Sequence, residues 1–312
     1  MEPEEARVAH PLEPSYQPVI VGHTEARMAL SVFFAACVQI GMNRQNSANM
    51  FPRANAAQFP APLRSRFFPG QLPRIQGLDY YGECRPAQDV GGDFYDFVPL
   101  EPHGLAVSVG DVSGNGLGAG IPMPGLQALL RGLAAHGRNE IGRVVRELNH
   151  AIWQTSAANF YATLFYAYLD PARWQLQYVS AGHESALLIR RRTGRIHRLD
   201  STGTVLGLSD RTVYGHRTLP LEPGDLLIAC TDGITDARNA EGHEFSEKGI
   251  LEVVERHSGA RACDLGAEML QAVDRYAGPC EPADDRTAVV VRFKGAAEDT
   301  VFEGAAEAVL AA

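Results

Sequence analysis

Leu105-Ala106-Val107-Ser108-Val109-Gly110-Asp111-Val112-Ser113-Gly114-Asn115-Gly116 decides how this chain is read. Its first half is an apolar run of strand type. Its second half is a glycine-rich turn with a carboxylate at the strand's mouth. Immediately upstream, Phe94-Tyr95-Asp96-Phe97-Val98-Pro99-Leu100 is a second strand, joined to the first by the turn Glu101-Pro102-His103-Gly104. A tight turn between two apolar runs makes an antiparallel pair. The residues just before that pair, Val90-Gly91-Gly92-Asp93, set another aspartate beside glycine.

Further out the same alternation of elements continues. Leu78 to Cys84 reads as a strand. Leu126, Leu129, Leu130 and Leu133, then Ile141, Val144, Val145 and Leu148, have helical spacing, predicting helices over about 117–135 and 140–155. Tyr161 to Leu169, Trp174 to Ser180 and Ala186 to Arg190 follow as strands separated by turn residues. Leu226-Leu227-Ile228-Ala229-Cys230 is short and wholly apolar, which suits a strand covered on both sides. Helices are expected over 246–257 and 262–276, with a last strand from Thr287 to Phe293. Paired helices between runs of antiparallel strands predict an α+β domain, a four-layer αββα sandwich of two mainly antiparallel sheets flanked by helices.

Residues 1–74 differ in composition. They are rich in Pro, Ala, Asn and Gln, with one apolar run from Met28 to Val38. We read them as an N-terminal extension, helical over about 24–42 and then a Pro-rich linker, followed by a domain over 75–295 and an Ala-rich acidic tail over 296–312. The apolar run is far shorter than the roughly 20 residues of a membrane-spanning helix. Helix 24–42 is a candidate surface for a homodimer. The run Arg190-Arg191-Arg192 with Arg195 flanks Thr193-Gly194 and is expected to be a solvated hairpin tip.

Composition narrows the chemistry. The chain has 312 residues, and Asp+Glu exceed Lys+Arg by 37 to 28, for a net charge of -9. An acidic surface argues against nucleic acid as a partner, and against a two-metal nuclease. The five cysteines, at 37, 84, 230, 263 and 280, form no C-x-x-C pair, which fits a reducing cytoplasm. Only Cys280, with Arg286 six residues on, has the spacing of a cysteine phosphatase, and it lacks a glycine-rich phosphate cradle.

Four segments carry the candidate site: Asp93, Asp111, Asp232 in Cys230-Thr231-Asp232-Gly233, and Asp284-Asp285 before Arg286-Thr287. Each alone is an ordinary turn. Together, carboxylates at several strand mouths would repel one another, and bound divalent cations are the obvious compensation. An all-oxygen set suits Mg²⁺ or Mn²⁺, and no paired His or Cys is on offer for zinc.

These segments in this order resemble the SpoIIE/RsbU-like branch of the PPM (type 2C) metal-dependent serine/threonine protein phosphatases. The likeness spans about Leu72 to Phe293. It includes Val90-Gly-Gly-Asp-Phe-Tyr-Asp96, Gly110-Asp-Val-Ser-Gly-Asn-Gly116, Phe160-Tyr-Ala-Thr-Leu164, Ala181-Gly-His183, Leu206-Gly-Leu208, Pro223-Gly-Asp225, Thr231-Asp-Gly233 and Asp284-Asp-Arg-Thr287. The resemblance implies two cations bridged by Asp111, with the Val112 carbonyl as a further ligand. It puts Asp93 on the second cation and Asp232 and Asp284 on the first. Asp285 is either a ligand or a turn residue. It further implies attack of metal-activated water on phosphoserine or phosphothreonine, with Asp111 and Asp93 as the catalytic pair. The partner would be a phosphoprotein, of the STAS-domain anti-sigma-factor antagonist type.

Several residues have two readings. Arg85 contacts phosphate or is structural. His183 assists proton transfer or is a hydrogen-bonded structural histidine. Thr163 and Asn149 read as structural. Pro122 and Pro124 depart from the family pattern. A proline inside a helix costs about 3 kcal/mol, so the helix should begin near Pro124. Because that segment adjoins Asp111, the alternative function is a catalytically impaired pseudophosphatase that binds phosphoproteins.

Overall fold

The computed structural model describes residues 68–294, except 71, 89, 101, 103, 115, 138–139 and 156–159. The expected helix 24–42, nearly all of the extension, and the 296–312 tail lie outside the described residues.

Two five-stranded antiparallel sheets stack face to face. One has the order β1-β10-β9-β6-β7 and the other β2-β3-β4-β5-β8. The first is built from β1 (Leu78–Arg85), β6 (Ala186–Ile189), β7 (Ile196–Leu199), β9 (Leu226–Cys230) and β10 (Arg286–Phe293). The second is built from β2 (Asp93–Leu100), β3 (Gly104–Val112), β4 (Ala162–Asp170), β5 (Gln175–Ala181) and β8 (Arg217–Pro220).

Alternation of side chains across a pleated strand explains the layers. In β4, Phe165, Ala167 and Leu169 enter the core between the sheets. Leu164, Tyr166 and Tyr168 enter a second core under helices. In β10, Val289, Val291 and Phe293 face the other sheet, while Ala288 and Val290 face outward to helices. Both faces of these strands are covered, so they read as unbroken apolar runs. The Leu226–Cys230 strand is buried throughout, as its composition predicted.

The helical layers are α2 (Met123–Ala134) and α3 (Ile141–Thr155) on one side, and α5 (Ser246–Arg256) and α6 (Ala262–Ala277) on the other. The short α1 (Gly116–Gly120) and α4 (Asp232–Thr235) sit at the mouths of β3 and β9. The α+β, four-layer αββα architecture is as expected. The predicted helix 117–135 is broken. It splits at Ile121-Pro122, and α2 carries proline in its first turn. Proline is tolerated there because that N–H has no helical partner in any case.

One local expectation is corrected. Arg190 is not a solvated tip residue. Its side chain is 13% exposed and its Nη1 donates to Asp225 Oδ2 at 2.5 Å.

Candidate active site

The acidic segments meet at one end of the sandwich. Asp93 opens β2, Asp111 is the last residue but one of β3, and the two are Cα partners in the ladder. Asp232 follows β9, and Asp284 and Asp285 precede β10, which pairs with β9. Neighbouring mouths in each sheet, and stacking of the two sheets, bring the aspartates together.

The electrostatics show that proximity. Burial pushes the Asp111 carboxyl up to about 7, helped by the charges of Asp232, Asp284 and Asp285. Burial, then the charge of Asp111, raises Asp93 well above the carboxylate range, against hydrogen bonds from Thr287 and Thr231. Asp232 is raised by burial and by Asp284 and Asp236, and Asp284 by burial and by Asp285 and Asp236. No Lys or Arg is among the causes of any of these four shifts.

The donor set fits a hard divalent cation. Glycine opens the space for it: a Cβ on Gly92 would lie 2.5 Å from the Val112 carbonyl oxygen and 3.0 Å from Asp111 Oδ1. Only a residue without a side chain leaves both oxygens accessible. Among the described residues no three acidic, histidine or cysteine side chains are drawn tightly enough to hold an ion as they stand.

Asp285 behaves differently from its neighbour. Its Oδ1 accepts the Ala87 N–H at 2.8 Å, and its Oδ2 accepts the Gly92 N–H at 2.8 Å and the Asp93 N–H at 3.4 Å. A Cβ on Gly91 would overlap this carboxylate at 1.8 Å. Asp285 therefore ties the start of β10 to the loop that leads into β2.

Sequence reasoning missed two residues that hold Asp93. Thr231 Oγ1 and Thr287 Oγ1 both donate to Asp93 Oδ2 at 2.7 Å. Both stand inside quoted motifs, but nothing in the sequence connects them to a residue more than 130 positions away. Glu184, raised by burial and by Asp232, Asp236 and Glu247, extends the acidic field.

The residues with two readings also resolve into contacts. Arg85 donates to Glu83 and to Asp274 at 2.8 and 2.7 Å, and Arg286 donates to the other Asp274 oxygen at 2.5 Å, which is a structural arrangement. His183 is buried, with Nδ1 at 2.8 Å from Thr163 Oγ1, while Nε2 has no well-formed hydrogen bond among the described residues. Burial lowers this histidine to about 4, against a pull from the Cys230 backbone. Asn149 is wholly buried and ties the loop after Leu206 to α3.

Two antiparallel sheets between helical layers, with an aspartate mouth at one end, define the PP2C class of phosphatase folds. Residues 101–294 match the family described as Stage II sporulation protein E (SpoIIE), and the chain belongs to that family. It is 28% identical to Protein IcfG of Synechocystis sp. over 73% of this chain and 40% of that protein. It is also 28% identical to phosphoserine phosphatase RsbU of Bacillus subtilis, over 72% of this chain and 66% of RsbU. The chain thus spans less than two thirds of these relatives. The RsbU and RsbW domains of Rv1364c from Mycobacterium tuberculosis superpose with TM-score 0.62 at 26% identity, over 72% of this chain and 62% of that one.

Proposed function

We propose that the chain is a metal-dependent phosphoserine/phosphothreonine protein phosphatase, with a catalytic domain over about 75–295. One observation carries this: Asp93, Asp111, Asp232 and Asp284 converge from separate segments, and among the described residues no Lys or Arg is a cause of their shifts. Asp111 and the Val112 carbonyl, with Asp93, Asp232 and Asp284, would hold two divalent cations, Mn²⁺ or Mg²⁺. When bound, such ions neutralise phosphoryl charge and lower the pKa of water.

The chain's own residues do the rest. Thr231 and Thr287 fix the Asp93 carboxylate by one oxygen, which leaves the other for a ligand role. Asp285 holds the Ala87–Asp93 loop so that Asp93 stays opposite Asp111, and we assign it to positioning. His183, neutral at physiological pH, supports Thr163 beneath Asp111, its Cα partner across the β3–β4 ladder. Positioning of this kind is the main protein contribution to phosphoryl transfer.

RsbU is by name a phosphoserine phosphatase, which supports a phosphorylated regulatory protein as substrate. Its class is taken to be the STAS-domain anti-sigma-factor antagonist. Among the described residues no helix is long and apolar enough to cross a membrane. The deciding experiment is hydrolysis of p-nitrophenyl phosphate by the full chain with and without Mn²⁺. Turnover should require the metal and vanish in Asp111→Ala. Metal-independent turnover would overturn the proposal, and metal uptake without turnover would favour the pseudophosphatase.

A further inference from the structure

Two arginines stand beside the acidic mouth without balancing it. Arg85 is the last residue of β1, Arg286 the first of β10, and the two are Cα partners in the ladder. Arg286 comes two residues after Asp284. Two residues of chain span at most about 7 Å, so Arg286 starts within a side chain's length of the Asp284 backbone. Its stem also lies along the other acidic segment: a Cβ on Gly233, the residue after Asp232, would meet Arg286 Cγ at 3.4 Å. Arg286 is thus adjacent to both segments. Yet no Lys or Arg is among the causes that raise Asp232 or Asp284.

The reason lies on α6. Arg286 shares a strand face with Ala288 and Val290, which pack under the helices. Its Nη1 donates to Asp274 Oδ1 at 2.5 Å, and Arg85 Nη1 donates to Asp274 Oδ2 at 2.7 Å. Thr287, the next residue, faces the opposite way and grips Asp93. Like charges directly opposed across a ladder repel. Asp274 sits between these two, one oxygen to each.

The two arginines depend on Asp274 unequally. Arg85 has a second partner, since its Nε donates to Glu83 Oε1 at 2.8 Å. Among the described residues Asp274 is the one ion-pair partner of Arg286. The Arg286 side chain is 8% exposed and that of Asp274 47%. A nearly buried cation that loses its carboxylate has little water to turn to, and an uncompensated buried charge is costly. The segments against its stem offer Asp232 and Asp284 instead. A guanidinium there would neutralise the carboxylates that a divalent ion needs, and so compete with the ion.

We propose that Asp274 is a positioning residue that keeps Arg286 turned outward to α6, so that Asp232 and Asp284 stay free to bind divalent cations. This rests on the phosphatase proposal, whose metal ligands it concerns. It adds a helix residue outside the acidic mouth to the groups that set metal affinity.

The test is isothermal titration of the full chain with Mn²⁺, beside p-nitrophenyl phosphate turnover as a function of Mn²⁺. Asp274→Asn should weaken Mn²⁺ binding about tenfold, the scale of losing an outer-shell partner, and shift half-activation equally. Turnover at saturating Mn²⁺ should stay within twofold. Adding Arg286→Met keeps an apolar stem against Gly233 and removes the competing charge, so the double variant should bind within twofold of wild type. A bridge with only a structural role gives no such recovery. Unchanged binding in Asp274→Asn overturns the proposal, as does a double variant no better than the single. Arg286→Met alone leaves Asp274 with Arg85 and should bind Mn²⁺ as the wild type does. That result supports the proposal even if Asp274→Asn fails to fold, and a tenfold loss there overturns it. Uptake without turnover leaves the titrations to decide. If the wild type takes up no Mn²⁺, the phosphatase proposal falls and this inference falls with it.

Discussion

Strand β9 has an aspartate near each end, and the two have opposite environments. Asp225, before Leu226, is 1% exposed. It takes a 2.5 Å bond from Arg190 and backbone N–H bonds from Glu222 and Arg191. At that end of the sandwich other carboxylates are matched as well, Glu222 by Arg192 and Asp170 by Arg173. Asp232, after Thr231, faces Asp284 and Asp236 with no such partner among the causes of its shift. The same residue type on one five-residue strand is a structural anchor at one end and an unbalanced charge at the other. The lesson is that what surrounds an aspartate, rather than its Asp-Gly neighbourhood, marks it as a site. Pro223-Gly224-Asp225 and Thr231-Asp232-Gly233 look alike on paper.

The comparison can be broken by exchanging what each end lacks. The largest effect is expected at the unbalanced end. Asp111→Ala should abolish metal-dependent turnover, well beyond the roughly 10–100-fold typical of an outer-shell partner. Isothermal titration should show reduced Mn²⁺ uptake. At the balanced end, Arg190→Met strands Asp225 without its cation. Chemical denaturation should show a loss of roughly 3–5 kcal/mol, the usual penalty for breaking a buried pair from one side, with no change in metal requirement. A variant that kept full stability would show that the two ends do not differ as argued.

Asp285→Asn sharpens the contrast between adjacent aspartates. A positioning residue should weaken half-activation by Mn²⁺ about 10-fold while the stoichiometry stays at two, whereas a ligand would lower the stoichiometry. A further test concerns His183. Its folded pKa of about 4 lies below the ordinary 6.5, so the unfolded chain binds more protons between those values. Stability should therefore fall as pH drops from about 6.5 to about 4, by about 1 kcal/mol per pH unit from this group. His183→Gln should flatten that part of the denaturation profile.

Much of the fold was legible because doubly covered strands must be apolar. Leu226–Cys230, Thr287–Phe293 and Leu105–Gly110 announce themselves for that reason. β7 and β8 were not anticipated. Each is four residues long, at a sheet edge, with polar residues such as Arg198 and Arg217. The single turn α4 begins at Asp232-Gly233, which reads as a simple turn. The start of α2 beside Pro124 is legible because a missing N–H acts locally, whereas the short α1 before it is not.

By itself, the sequence determined the order of the long, buried elements, the two-sheet class and the four acidic segments, since burial periodicity and turn chemistry operate over a few residues. Only the tertiary structure decided which carboxylates are balanced, that Thr231 and Thr287 grip Asp93, that Asp285 turns inward to the Ala87–Asp93 loop, and that Asn149 holds Gly207. Those contacts join positions tens to nearly two hundred residues apart. Hydrogen bonds and charges act through space, over distances that chain order does not encode.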